Sequence, residues 1–211
     1  MATRARTVQN RPGRVALMRT AIALMGRHGY DGTSTRDIAG EAGVSVAALY
    51  HHFPSKLDLL REFLHEAHDV VLARLEREID AAGPEPRDQL DSAVGALIAS
   101  NLHDHWAQLA AQVAWREHGR LDAPDRRAIA AKRERMVDQL ERVVRAGVEV
   151  GDFTTGDPRA VAVALLTLCI SVVDPFPPPS KKMDDVIELY QRFAVALACT
   201  PVSTRPRARR A

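Results

Sequence analysis

Gly43-Val44-Ser45 leaves this part of the chain little freedom. It is a tight turn between two helical patterns of about two turns each. Ser34-x-x-Asp37 has the form of a capping box and opens the first of them, which ends at Ala42-Gly43. Ser45 can cap the second, over 46–52, before Pro54-Ser55 breaks the chain again. Upstream, from Arg14, the apolar positions Val15, Met18, Ile22 and Met25 share one helical face, with Leu17, Ala21 and Leu24 beside them, and Gly29 stops that helix. Two short helices joined by a Gly-x-Ser turn and braced by a third form the geometry that lays one helix in a DNA major groove.

The side-chain chemistry fits that geometry. Ile38, Ala39 and Ala42 are expected to face inward, with Leu49 and Phe53 packed back on them. Thr35, Arg36, Ser45, Tyr50, His51 and Lys56 are left outward, and hydroxyls, imidazole and cations suit phosphate oxygens. Lys56 falls in the first turn of a long helix over about 55–82, whose free N–H groups also favour a phosphate. Charge points the same way. Residues 1–56 carry eight Lys/Arg against three Asp/Glu, and Arg205, Arg207, Arg209 and Arg210 add a basic tail. The remainder is acidic, with a net charge of −7 inside an overall +2.

Thr33-Ser34-Thr35-Arg36-Asp37-Ile38-Ala39, then Ala42-Gly43-Val44-Ser45, then Leu49-Tyr50-His51-His52-Phe53 and Ser55-Lys56 resemble the DNA-binding domain of TetR-family transcriptional regulators. The resemblance covers 29–60 almost without a gap. It implies that Thr35, Arg36, Ser45, Val46, Ala47, Tyr50, His51 and Lys56 meet double-stranded DNA. The first turn of the recognition helix, Val46-Ala47-Ala48, has no Arg, Asn or Gln for a bidentate base contact. Methyl contacts to thymine, Arg36 and the arginines of the N-terminal arm are therefore expected to carry sequence preference, with phosphate contacts supplying most of the affinity.

Downstream of Gly83-Pro84 the pattern remains helical, near 86–103, 105–118, 124–150, 157–174 and 183–199, and no strand pattern interrupts it. The expected fold is all-α: a three-helix N-terminal domain (14–58), a long connecting helix and a C-terminal bundle (59–200), about nine helices in all. Residues 1–13 read as a flexible basic arm and 201–211 as a disordered basic tail. Asp174-Pro175-Phe176-Pro177-Pro178-Pro179 separates the last two helices. With 46% hydrophobic residues the chain can bury a substantial core. No apolar run of about 18 residues exists, so no membrane span is expected, and the default location is the cytoplasm.

The resemblance implies that this second domain dimerises and binds a small molecule. The helices near 157–174 and 183–199 are apolar on more than one side, as a four-helix interface between two subunits requires. Trp106, Leu109, Val113, Met136, Leu140 and Cys169 are the candidate lining of an apolar effector cavity, with His103, His105 and Arg133 as polar orienters. Trp106 and Trp115 more often serve simply as core. Gly147-x-x-x-Gly151-Asp152-Phe153, followed by Asp157-Pro158-Arg159, is similar to a TetR subgroup that includes regulators of lipid and steroid breakdown responding to acyl-CoA thioesters. A repressor released from a palindromic operator by an apolar effector is the reading this favours. The alternative is an architectural or partner-controlled DNA-binding protein without an effector.

No nucleophile motif, phosphate-cradling glycine loop or metal-ligand set asks for an enzyme, a cofactor or a metal. His51 and His52 are adjacent on a helix, so they point about 100° apart and cannot share an ion. His65 and His68 have i, i+3 spacing, but no cysteine or carboxylate cluster supports them as ligands. Cys169 and Cys199 read as reduced thiols.

Overall fold

The computed structural model describes residues 13–173 and 182–201. The arm before Gly13, the Pro-rich loop at 174–179 and the tail beyond Pro201 lie outside the described residues, so the expectations placed on them have no structural counterpart. The described residues contain nine α-helices and no strand. They are α1 (Arg14–His28), α2 (Thr35–Glu41), α3 (Val46–His52), α4 (Lys56–Ala81), α5 (Pro86–Leu102), α6 (His105–Glu117), α7 (Ala123–Val150), α8 (Pro158–Ser171) and α9 (Met183–Ala198). A single 3-10 turn, His118–Arg120, follows α6 and has no counterpart in the sequence reading. No described helix is long and apolar enough to cross a membrane.

The chain divides into two compact units, with the boundary between Phe63 and Leu64. The first therefore extends past residue 58, because Leu59, Leu60 and Phe63 at the start of α4 are buried. Its core is Leu17, Ala21, Ile22 and Met25 of α1, Ile38 and Ala39 of α2, Leu49 of α3, and Phe53. The capping box of α2 is complete: Asp37 N–H donates to Ser34 Oγ at 3.1 Å, and Ser34 N–H donates to the Asp37 carboxylate at 2.8 Å. Gly43 adopts φ 68°, a conformation that L side chains rarely take, and Val44 N–H closes the turn on the Ala39 carbonyl at 2.9 Å.

The second unit is a helical bundle. Its core unites Leu72, Leu75 and Ile79 of α4, Leu90, Val94 and Leu97 of α5, Met136, Leu140 and Val144 of α7, and Val161, Leu165 and Cys169 of α8 with Val186, Ala194 and Ala198 of α9. Asp104, Asp122 and Asp157 each cap a helix by accepting from the backbone N–H three residues on, a contribution of about 1 kcal/mol per cap. Pro158 in the first turn of α8 loses no hydrogen bond there.

The segment after α7 explains the glycine pattern read in the sequence. Gly151 ends α7 in the left-handed conformation, φ 90°. Asp152 and Phe153 N–H groups then return to the Gly147 carbonyl, at 2.8 and 3.1 Å. This lays the Phe153 ring directly on Gly147, where a Cβ would meet ring carbons at 2.1 and 2.3 Å. Beyond it, Thr154 and Thr155 N–H groups donate to the Ala198 carbonyl and close the C-terminal end of α9. Arg159 ties the first turn of α8 to Glu134, Asp138 and Glu141 on α7.

Candidate nucleic-acid interface

In the first unit, α2 and α3 present one solvent-facing surface while Ile38, Ala39, Leu49 and Phe53 hold them from behind. Arg36, Ser45, Ala47, Tyr50 and His51 are exposed, and Thr35, Val46 and Ala48 are half-buried. Ser45 Oγ accepts from Ala48 N–H at 3.1 Å as the α3 cap, which leaves its own proton to donate outward. Thr35 Oγ1 and Tyr50 Oη stand 3.4 Å apart, joining α2 to α3 at the surface. Arg36 makes no ion pair with a described residue. The surface thus combines one uncommitted guanidinium, three hydroxyls, an imidazole and the methyls of Val46 and Ala47. The rings of His51 and His52 lie 5.7 Å apart at 71°.

Lys56 corrects the sequence reading. Its ammonium turns in rather than out, donating to the Tyr30 carbonyl at 2.7 Å and the Thr33 carbonyl at 2.8 Å and sitting 3.9 Å from the centre of the Tyr30 ring. The turn between α1 and α2 gathers carbonyls that no helix satisfies, and a long flexible cation within reach is held there. Its first role is therefore to fix the loop that positions α2. Arg14 was counted with the basic end of the chain, but it is committed too. It stacks 4.4 Å over the Phe53 ring, donates Nε to Glu62 at 2.7 Å, and bonds the His52 carbonyl. That locks the end of α3 against α1 and the start of α4. No sequence signal announced either contact, since both depend on a loop and a helix end far apart in the chain.

The second unit departs further from expectation. Met136, Leu140 and Cys169 belong to its closed apolar core, and burial pushes the Cys169 thiol up to about 12. Leu109 and Val113 are buried on α6, while Trp106 is half-buried. His103 and His105 are exposed, because they fall at the polar link between α5 and α6, so they orient nothing inside. Trp115, expected as core, is an exposed large side chain. An open groove of ≈ 520 Å³ lies instead between α4, α5 and α9, lined among others by Arg74, Asp91, Ala96, Ile187 and Gln191. None of the six candidate lining residues reaches it. Arg74 Nε and Asp91 Oδ1 are buried there without a hydrogen-bond partner among the described residues, and burial raises the Asp91 carboxyl.

The α4 histidines have protein partners. His65 Nε2 is 2.9 Å from Asp125, while Lys132 bonds the His65 carbonyl at 3.0 Å and Asp69 at 2.7 Å. His68 is buried, with Nδ1 2.7 Å from the Leu64 carbonyl, so that nitrogen carries the proton. Its Nε2 then accepts from Arg133 Nε at 3.3 Å. Burial first, and then the neighbouring Arg133, Lys132 and His65, push His68 down to about 4, which keeps the ring neutral near pH 7. Among the described residues no group of three or more His, Cys, Asp or Glu side chains is arranged to hold a metal ion. Both cysteines are unpaired.

Comparison with known proteins gives two family matches. The profile of bacterial regulatory proteins of the tetR family matches residues 17–63, and that of the tetracyclin repressor-like C-terminal domain matches 83–196. The HTH-type transcriptional repressor KstR2 of Mycolicibacterium smegmatis is 32% identical over 89 residues, 42% of this chain and 43% of that protein. The matched stretch thus spans less than half of that relative. A bacterial regulatory protein of the tetR family from Rhodococcus RHA1 superposes with a TM-score of 0.78 and 29% identity, covering 90% of this chain and 99% of that one. AibR, solved in complex with isovaleryl coenzyme A and operator DNA, shares the fold with a TM-score of 0.74 at 23% identity, covering 90% of this chain and 99% of that one.

Proposed function

Since this chain belongs to the TetR family of bacterial regulatory proteins, we propose that it is a dimeric transcriptional repressor that binds a palindromic operator and is released by an apolar small-molecule effector. The observation that carries the DNA half of this reading is the exposed surface of α2 and α3. Arg36, Ser45, Tyr50 and His51 offer donors to phosphates, and the methyls of Val46 and Ala47 offer contact to thymine. Lys56 and Arg14 support that surface from behind through the loop at 30–33 and the end of α3.

The dimer half rests on α8 and α9. Val163 is 47% exposed and Phe193 43%, and Ala164 and Ala196 are exposed on the same two helices. Phe193 also packs against Tyr190, with ring centres 5.9 Å apart and ring planes 55° apart. Large apolar side chains left in water on two neighbouring helices favour burial against a second copy. Two copies would present two recognition helices to half-sites about one helical turn apart. The effector class is read from AibR, whose isovaleryl coenzyme A complex shares this fold, and from the glycine pattern around Phe153. An effector that binds the DNA-free arrangement more tightly lowers DNA affinity by the ratio of its two affinities. α4 contributes to both compact units and is the element through which that preference would pass.

Phe193→Asp tests the dimer. A buried carboxylate at that position should weaken self-association by roughly 30-fold or more, on the order of 2 kcal/mol. Sedimentation of the variant should show monomer at concentrations where the wild type is dimer. A wild-type protein that sediments as monomer, or a variant that dimerises unchanged, removes α9 from the interface.

A further inference from the structure

The groove between α4, α5 and α9 belongs wholly to the second unit, and it holds two charges that nothing answers. Helical spacing builds its walls. Arg74 and Glu78 lie one turn apart on α4, Asp88, Asp91 and Gly95 follow one face of α5, and Ile187 and Gln191 lie one turn apart on α9. Its volume of ≈ 520 Å³ falls within the range of small-molecule sites, about 300–1,000 Å³. Gly95 widens it, since a Cβ there would stand 3.7 Å from Ile187 and 3.8 Å from the Gln191 amide.

The other polar groups named here are accounted for. Gln191 Nε2 donates to the Asp91 carbonyl at 2.9 Å, which fixes α9 against α5. Glu78 lies 3.3 Å from Arg77. Asp88 sits in the first turn of α5, where free backbone N–H groups favour a carboxylate. Arg74 and the Asp91 carboxylate have no such account. Among the described residues Arg74 makes no hydrogen bond or ion pair, either with Glu78 one turn on or with Asp91 across the groove. Arg74 Nε and Asp91 Oδ1 are sealed without a partner, while Asp91 Oδ2 and the terminal nitrogens of Arg74 are not among the sealed atoms. Each charge is thus partly desolvated yet still accessible, and burial raises the Asp91 carboxyl from its ordinary value. A charge that has already lost part of its hydration gives up less on meeting a ligand.

We propose that this groove binds a small zwitterion, with its ammonium on Asp91 and its carboxylate on Arg74. Two unanswered charges of opposite sign lining one groove call for one ligand that carries both complements. A singly charged ligand would leave either the carboxylate or the guanidinium without a partner. The terminal nitrogens of Arg74 offer a planar carboxylate two parallel hydrogen bonds. Gly95 and Ile187, both half-buried, give the carbon skeleton of the ligand an apolar wall. The site stands apart from the apolar effector proposed above, since none of the residues read as that effector's lining reaches the groove.

The test is calorimetric titration of the full chain with four five-carbon compounds. Norvaline and 5-aminopentanoate are zwitterions of short and long charge separation, and pentanoate and pentylamine carry one charge each. At least one zwitterion should bind about ten-fold or more tighter than both singly charged compounds. Asp91→Asn should bring that zwitterion to within about two-fold of pentanoate, and Arg74→Met to within about two-fold of pentylamine. Asp91→Asn leaves untouched the backbone carbonyl that Gln191 holds. The assignment is overturned if neither zwitterion outbinds both singly charged compounds, if none of the four binds, or if the preference survives either substitution.

Thermal unfolding without ligand separates a binding role from a structural one. Removing an unanswered, partly desolvated charge should cost no stability, so both variants should unfold within about 2 °C of wild type or above it. A fall of more than about 2 °C in either variant contradicts the proposal, because that side chain would then be holding the bundle together.

Discussion

Ala47→Glu is expected to reduce duplex binding by about 100-fold or more while leaving the fold of the first unit intact. Ala47 is solvent-exposed on α3, one residue beyond Val46 and two beyond the Ser45 cap. Glutamate is a good helix former, so the change costs the helix little. Against a duplex, however, it would bring a carboxylate to the surface that carries Arg36, Tyr50 and His51. Like-charge juxtaposition at such an interface costs several kcal/mol. Fluorescence anisotropy with a labelled duplex measures the loss, and far-UV circular dichroism checks the fold. A variant that binds as the wild type does would move the DNA contact to another surface of the chain. Ala47→Ser, which keeps the surface small and neutral, should bind within a few-fold of wild type.

Gly147→Ala carries the largest expected effect on stability. The added Cβ would stand 2.1 Å from a ring carbon of Phe153, far inside van der Waals contact. Phe153 is itself 2% exposed, and its backbone is tied back to the Gly147 carbonyl. Neither partner can yield without opening the cap of α7 and the loop that closes α9 through Thr154 and Thr155. Overpacking of this kind costs up to about 3 kcal/mol, and expulsion of a buried phenylalanine about 3–5 kcal/mol. Thermal unfolding should fall by roughly 10 °C. Gly147→Ala/Phe153→Leu should recover part of the loss, because the smaller side chain makes room. A single variant within about 2 °C of wild type would mean that the ring has another place to go.

The same residues show what was legible in the sequence. The three short helices of the first unit were readable almost to the residue, because each helix end is a local device: the Ser34–Asp37 box, the positive φ of Gly43, the Ser45 cap and the break at Pro54. Local devices act between residues a few positions apart, which is what a sequence displays. The glycine pattern at 147–153 was visible for the same reason, although only the structure assigns Gly147 to Phe153. Lys56 was misread because its partners, the carbonyls of Tyr30 and Thr33, carry no side-chain signature.

The effector side was the least legible. Six residues at helical spacing read as pocket lining, yet helical spacing identifies the buried face of a helix and not whether that face is filled. Met136, Leu140 and Cys169 lie in the buried apolar core of the second unit. Arg133, which breaks the α7 stripe four residues beyond Ile129 and three before Met136, was read from the sequence as a polar orienter. That His68 is its partner could not be read, since it lies on another helix 65 positions away.

The central claim is that the α2–α3 surface of a dimer reads a palindrome. Selection of bound duplexes from a random pool by the full chain, followed by sequencing, tests it most directly. The account predicts enrichment of a palindrome with half-sites about one helical turn apart and thymines where the methyls of Val46 and Ala47 approach. Affinity for it should fall steeply with salt, as phosphate-dominated binding requires. A pool that yields no enriched sequence, or an enriched single site without two-fold symmetry, would contradict the account.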